Sequence, residues 1–249
     1  MEKPITKHFA RFTAGAASSM SNFTTITHRY KSRVLRLTVP RKEAFLIGDI
    51  FLREEYQLRK LKGVFGKTTV VDVGANVGLF TVFIAMNIPG AAIHCFEPSN
   101  ALHEAFRANT AAFPNIFLHP AALSDHDGRE TFYLHPQHPG QSSLKFREDS
   151  RQDAPLVEES VTVQDAGSAF DALQLDSVDI LKVDTEGSEV AILQSLGRRL
   201  DRVKHIYIEY HSEADKDTIH GLLRNFQLLH DQKRGEGVGV LRYMHRRFA

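Results

Sequence analysis

The stretch Val71-Asp-Val-Gly-Ala-Asn-Val-Gly-Leu-Phe80 constrains the fold more than any other part of the chain. A β-branched apolar run from Thr68 ends at Gly74, and an apolar segment from Val77 to Met86 follows at once. Such a run suits a strand buried on both faces of a parallel sheet that hands over to a helix. In doubly wound sheets, ligands bind outside the carboxyl ends of the strands, where this loop falls. Gly74 lets the backbone turn without a Cβ, and Gly78 lets helix and ligand come close. Asn76 is the non-glycine residue most at ease in the left-handed region. The start of the following helix adds unpaired N–H donors.

The rest of the chain extends this pattern. Arg33 to Val39 alternates and reads as a strand stopped by Pro40, and Ala44 to Leu61 reads as helical. Ala91 to Phe96 reads as a second buried strand, with Ser99 placed to cap a helix running to about Ala112. Ile116 to Leu123 is predicted as a third. From Asp125 to Asp165, turn signals (Asp127-Gly128, Pro139-Gly140) separate short alternating pieces, Glu130 to Leu134 and Val157 to Val163. They predict an antiparallel insertion over the sheet's edge or mouth. Val178 to Asp184 and His205 to His211 are further strands, each followed by a helix: Glu189 to Leu196 and Ala214 to Asn225. Phe226 to His230 and Val238 to Met244 form a closing hairpin. Strand–helix alternation over residues 69–225 argues an α/β doubly wound sheet, mostly parallel, with an antiparallel edge hairpin. The 249 residues suit one such domain, 33–249, preceded by a basic extension, 1–32.

Charge is unevenly spread. Residues 1–42 hold nine Lys and Arg against one acid, Glu2, so this segment carries +8 and the remainder −7. An acid-poor basic start reads as a transit peptide, as an arm attracting anions, or as a solvated extension packed on an acidic body. No run approaches 18 apolar residues, so no membrane-spanning helix is expected. The single cysteine, Cys95, rules out an intrachain disulfide and a multi-cysteine metal site. It fits a reducing compartment, so a cytoplasmic location is expected, with an organellar one as the alternative.

The loop departs from the dinucleotide fingerprint G-x-G-x-x-G, because Asn76 replaces the middle glycine. Asp72, two residues before Gly74, works against a pyrophosphate. It suits a ligand with a cationic end, such as the sulfonium and ammonium of S-adenosyl-L-methionine. About 20 residues on, Glu97-Pro98 ends the second strand, where an acid accepts hydrogen bonds from both ribose hydroxyls. An NAD(P)- or nucleotide-sugar-binding oxidoreductase is the alternative enzyme. A non-catalytic cofactor-binding protein is a third reading.

With these residues in place, the chain resembles the FkbM family of S-adenosylmethionine-dependent methyltransferases. The resemblance rests on Val70 to Gly78, Phe96-Glu-Pro98, Ala122 to Gly128, Gln141-Ser-Ser-Leu144 and Ile180 to Glu189, in that order and spacing. It implies a class I methyltransferase (Rossmann-like) fold and methylation of a hydroxyl oxygen on a small molecule, sugar or natural product. It places Asp72, Gly74, Asn76 and Gly78 on the methionine and ribose parts of the cofactor, and Glu97 on the ribose hydroxyls. Ala122, at the start of the third motif, would lie near the adenine. The family's usual Thr-Leu-Asp segment reads Val163-Gln-Asp165 here, so the resemblance assigns it no substrate role. A small-molecule or glycan acceptor is expected. RNA is the less favoured one, since no aromatic-interleaved basic motif accompanies the basic arm.

Methyl transfer to an alcohol needs the oxygen aligned and its proton removed. Lys182, Asp184 and Glu186 follow at intervals of two, and Lys182 and Asp184 share a strand face. They read either as a mouth carboxylate, Asp184 or Glu186, or as a structural Lys182–Asp184 pair. His211, at the end of the neighbouring strand, is the general-base candidate, since histidine titrates near ~6.5. Asp184, Glu186, Glu209 and His211 are alternatively a ligand set for Mg²⁺, which prefers oxygen donors.

Overall fold

The computed structural model describes residues 19–53, 56–58, 61, 67–146 and 155–249. Its first strands are β1 (Phe23–Tyr30) and β2 (Arg33–Pro40), an antiparallel hairpin paired from Phe23↔Pro40 to Tyr30↔Arg33. A seven-stranded sheet follows, built from β3 (Thr69–Val73), β4 (Ala92–Phe96), β5 (Ile116–His119), β9 (Val178–Val183), β10 (Val203–Tyr210), β11 (Phe226–Gly235) and β12 (Val238–His245). The intervening strands β6 (Ala122–Ser124), β7 (Gly128–Leu134) and β8 (Val157–Asp165) make a separate three-stranded sheet, ordered β6-β8-β7. The order of the large sheet is β11-β12-β10-β9-β3-β4-β5. The pairs β10–β9, β9–β3, β3–β4 and β4–β5 are parallel, while β12 runs antiparallel between β10 and β11. The expected α/β sheet with an antiparallel edge hairpin is present.

Burial explains the unbroken apolar runs. All of β9 is buried, as is β3 after its first residue. On one face, Val71, Val73, Leu181, Val183, Ile206 and Ile208 pack against α3 (Ala166–Ala172), α4 (Glu189–Leu196) and α5 (Glu213–Leu222). On the other, Val70, Ile93, Cys95, Ile180 and Tyr207 meet Phe80 and Ile84 of α1 (Leu79–Asn87) and Phe106 of α2 (Asn100–Thr110). No helix of the described residues is long and apolar enough to cross a membrane.

Five expectations need correction. Residues 23–30, assigned to the extension, form β1, so a boundary at 32/33 would cut a hairpin at its Lys31 turn. Phe23 and Tyr30 are buried, and the hairpin packs with Phe51, Val82 and Phe83 over α1. Thr25, Thr27 and Arg29 on the open face of β1, and Thr24 and His28 on the other, obscured its alternation. The basic residues Lys3, Lys7 and Arg11 lie outside the described residues. The helix expected over Ala44 to Leu61 is instead a 3-10 turn (Arg41–Glu43) and one π turn (Gly48–Leu52). Gly48 and Asp49 weaken a continuous helix there, and residues 54–55 and 59–60 of that call lie outside the described residues. The strand expected over Ile116 to Leu123 breaks at Pro120, which cannot donate to a ladder, and β6 joins the small sheet. There β6 pairs with β8 in parallel, so the insertion is mixed rather than antiparallel. Ser99 precedes α2 but makes no cap; its hydroxyl donates to Glu159, which also takes the Asn100 N–H.

Candidate active site

The carboxyl ends of β3, β4, β9 and β10 open on one cavity of about 340 Å³. The loop after β3 holds three left-handed residues, Gly74 (φ 79°), Asn76 (φ 50°) and Gly78 (φ 81°). Gly74 and Ala75 donate their N–H groups to the Phe96 carbonyl, which ties the loop to β4. The Asn76 N–H donates to Glu97 Oε2 at 2.8 Å, and the Ser99 N–H to Glu97 Oε1 at 2.9 Å. Burial pushes the Glu97 carboxyl up to about 7, and these two bonds offset only part of that. Gly74, Asn76 and Glu97 line the cavity, with Phe96, Ala122, Leu123 and Phe132 as an apolar wall.

Glycine at 74 is required for a reason beyond the turn. A Cβ there would sit 1.8 Å from the Asp184 carbonyl oxygen, so the loop after β3 and the end of β9 touch through backbone. Gly74→Ala is therefore expected to lower stability by about 1–3 kcal/mol, the usual cost of overpacking. Urea denaturation measures this, and a variant as stable as the wild type would contradict the contact.

Asp72 and Gly78 do not line the cavity. Asp72 is fully buried, accepts the Thr81 hydroxyl proton at 2.6 Å and lies 3.3 Å from Lys182 Nζ. Its charge is already answered by Lys182, so the expectation that Asp72 faces a cationic ligand is corrected. The two are register partners on adjacent strands, which fixes the pair. Gly78 instead lets the loop pack on Phe106, 3.0 Å from where a Cβ would stand.

Lys182 joins the two halves of the site. Its Nζ donates to the Gly74 carbonyl at 3.0 Å and lies 3.4 Å from Asp184. Burial alone would lower its pKa, but Asp72 and Asp184 more than reverse this, so it stays charged. Asp184, Glu186, Glu209 and Lys182 all line the cavity. Burial pushes Glu209 up to about 9, with Asp184 the next cause, although Arg234 of β11 lies only 3.3 Å away. Burial and Asp184 therefore disfavour the charge on Glu209, while Arg234 favours it.

The turn after β9 is strained and braced. Glu186 sits at φ 56°, and Glu189 Oε1 accepts from the Thr185 N–H, the Thr185 hydroxyl and the Gly187 N–H. The Ser143 hydroxyl donates to the Glu186 carbonyl at 2.7 Å. His211 Nε2 is 3.1 Å from Glu186, and its Nδ1 is 3.6 Å from Glu189. Burial opposes its charge, but these two carboxylates push His211 up to about 11. His211 is thus paired with two carboxylates and does not itself line the cavity. One ligand atom each of Asp184, Glu186 and His211 lies within 4.8 Å of the others. Within this set His211 pairs with Glu186 at 3.1 Å.

The sequence reading missed Glu43. It lines the cavity, accepts the Gly140 N–H at 2.8 Å and is pushed up to about 7 by burial. No periodicity marks it, because it lies on a 3-10 turn before the main sheet begins.

A family model for the methyltransferase FkbM domain matches residues 72–236, about two thirds of the chain. The chain belongs to the FkbM methyltransferase family. Among relatives of this methyltransferase, Methyltransferase 1 of Beauveria bassiana is 29% identical over 199 residues, covering 73% of this chain and 79% of the relative. The 2-O-methyltransferase NoeI of Sinorhizobium fredii is 27% identical over 199 residues, covering 70% and 78%. Among solved structures, YhhF of Escherichia coli, described as a methyltransferase, aligns with a TM-score of 0.52 at 14% identity, covering 89% of this chain and 98% of that one. That likeness concerns the fold, which is of the class I methyltransferase type.

Proposed function

We propose that this methyltransferase transfers the methyl group of S-adenosyl-L-methionine to a hydroxyl of a small molecule or sugar. The observation that carries the reading is one continuous cavity with a buried ribose-type acid, Glu97, in its lining together with a carboxylate cluster, Asp184, Glu186 and Glu209. The name of NoeI, a 2-O-methyltransferase, supports an oxygen acceptor.

The residues present fit the cofactor. Each Glu97 oxygen accepts one backbone N–H and keeps a lone pair for a ribose hydroxyl. Ala122, Leu123, Phe96 and Phe132 offer an apolar surface for a base, and the loop at Gly74 to Val77 offers close backbone. When bound, S-adenosylmethionine supplies an electrophilic methyl group on a positively charged sulfur. The chain's own residues then have distinct tasks. Asp184 orients the acceptor hydroxyl and takes its proton. Lys182 holds Asp184 in place. Glu209, when protonated, shields Asp184 from a second nearby negative charge. His211 and Glu189 brace the turn that presents Glu186.

Calorimetry tests the cofactor half of the reading. S-adenosylhomocysteine is expected to bind and NAD not to. Glu97→Gln should weaken S-adenosylhomocysteine by about 1.5–3 kcal/mol, the range for hydrogen bonds to a charged group. Because ribose hydroxyls donate to the carboxylate form, wild-type affinity should fall as pH drops through about 7, and Glu97→Gln should flatten that fall. Tight NAD binding without S-adenosylhomocysteine binding would overturn the proposal. Labelled methyl transfer to a panel of sugars, glycosides and polyketide alcohols tests the acceptor half.

A further inference from the structure

Glu43 stands apart from the residues that the family domain supplies. It precedes the matched residues 72–236 and arrives on the turn that follows β2. The turn is anchored on both sides, since Val39 before it and Ile47 after it are buried in the cluster over α1. Glu43 is only 4% exposed. Its Oε1 accepts the Gly140 N–H, while its Oε2 is buried with no hydrogen-bond partner. Among the described residues that line the cavity, no other side-chain oxygen or nitrogen is buried in this way. A buried carboxylate oxygen without a donor is costly, so a ligand that brings a donor gains by meeting it.

Position says which donor. Asn76 links the two cavity acids: its backbone N–H donates to Glu97, and its side-chain amide hydrogen-bonds Glu43. Asn76 Nδ2 and Glu43 Oε1 both fall within 3.5 Å of the point where a Gly140 Cβ would stand. A ligand whose ribose sits on Glu97 therefore meets Glu43 across Asn76. Glu186 adds negative charge near Glu43. A cationic donor suits that place better than a neutral or anionic one.

We infer that Glu43 is a binding residue for the primary ammonium at the amino-acid end of the cofactor, delivered from outside the family domain by the β1–β2 hairpin. The inference rests on the proposed S-adenosylmethionine reading and deepens it. It makes the N-terminal hairpin part of the binding site. It also gives the buried unpaired oxygen a partner that the protein alone lacks.

The test compares two ligands by calorimetry on the full chain and on Glu43→Gln. S-adenosylhomocysteine carries the ammonium, and 5′-methylthioadenosine keeps the adenosine but lacks the amino-acid end. In Glu43→Gln the amide oxygen still accepts the Gly140 N–H, while the position of Oε2 becomes a donor. The expected result is a loss of about 10- to 100-fold for S-adenosylhomocysteine, with methylthioadenosine bound within twofold of wild type. Retained methylthioadenosine binding also shows that the variant is folded. Equal loss for both ligands, or no loss for either, overturns the inference while leaving the cofactor reading intact. A wild-type protein that binds neither ligand overturns the cofactor reading itself, and this inference with it.

Discussion

Asp184→Asn is expected to lower kcat by about 10²–10⁴-fold, the range for loss of a general base. Asparagine keeps the shape of the side chain and its contact with Lys182, but it cannot accept a proton. S-adenosylhomocysteine affinity should stay near wild type, because Asp184 acts on the acceptor. The measurement is steady-state kinetics with an acceptor found in the labelled-methyl panel. His211→Gln is the informative comparison. His211 is held as an imidazolium by Glu186 and Glu189, so its replacement should disturb the Glu186 turn without removing a titration near ~6.5 from the rate profile. A rate that rises through that pH in the wild type, and loses the rise in His211→Gln, would restore histidine as the base and sink the assignment to Asp184.

The largest loss of stability is expected from Lys182→Met. Methionine fills much the same volume, but Asp72 is fully buried and would keep only the Thr81 hydroxyl. Removing one partner of a buried ion pair costs about 3–5 kcal/mol, because the other charge stays uncompensated. The sign of the pH effect follows. Without Lys182, burial penalises the charged form of Asp72 with nothing to compensate it. The folded variant then binds more protons than the unfolded chain, and the variant regains stability as pH falls. Urea denaturation at neutral and acidic pH measures both effects. A second change, Asp72→Asn, should recover part of the loss in the Lys182→Met background. A loss below about 1 kcal/mol would show that the pair is not desolvated as the structure has it.

Much of the site was legible because local chemistry writes it in short segments. Glycine, asparagine and glycine at 74, 76 and 78 were read as a left-handed loop, and all three adopt positive φ. Glu97 was read at a strand end two residues before a helix, where backbone donors converge on it. The strands Val178 to Val183 and Val203 to Tyr210 were visible because burial on both faces leaves no polar alternation to confuse them. The β1 strand was not visible, since its open face carries Thr25, Thr27 and Arg29, its inner face holds Thr24 and His28 as well as apolar residues, and its packing partners come from α1.

Residue types and spacing alone determined the α/β order, the ligand loop after β3, and the acids at the ends of β4, β9 and β10. Only the tertiary structure decided what each charge faces. Asp72 turned from a ligand group into the buried partner of Lys182 because β3 and β9 lie side by side, although more than 100 residues separate them. His211, read as a base candidate, is drawn into an ion-pair cluster because the β9 turn brings Glu186 and Glu189 to its two nitrogens. Glu43 entered the cavity because the β1–β2 hairpin folds back over α1. Electrostatic energy depends on distance and on exclusion of water. Neither quantity is a property of a residue's neighbours in sequence, and both are set when the sheet brings remote segments together.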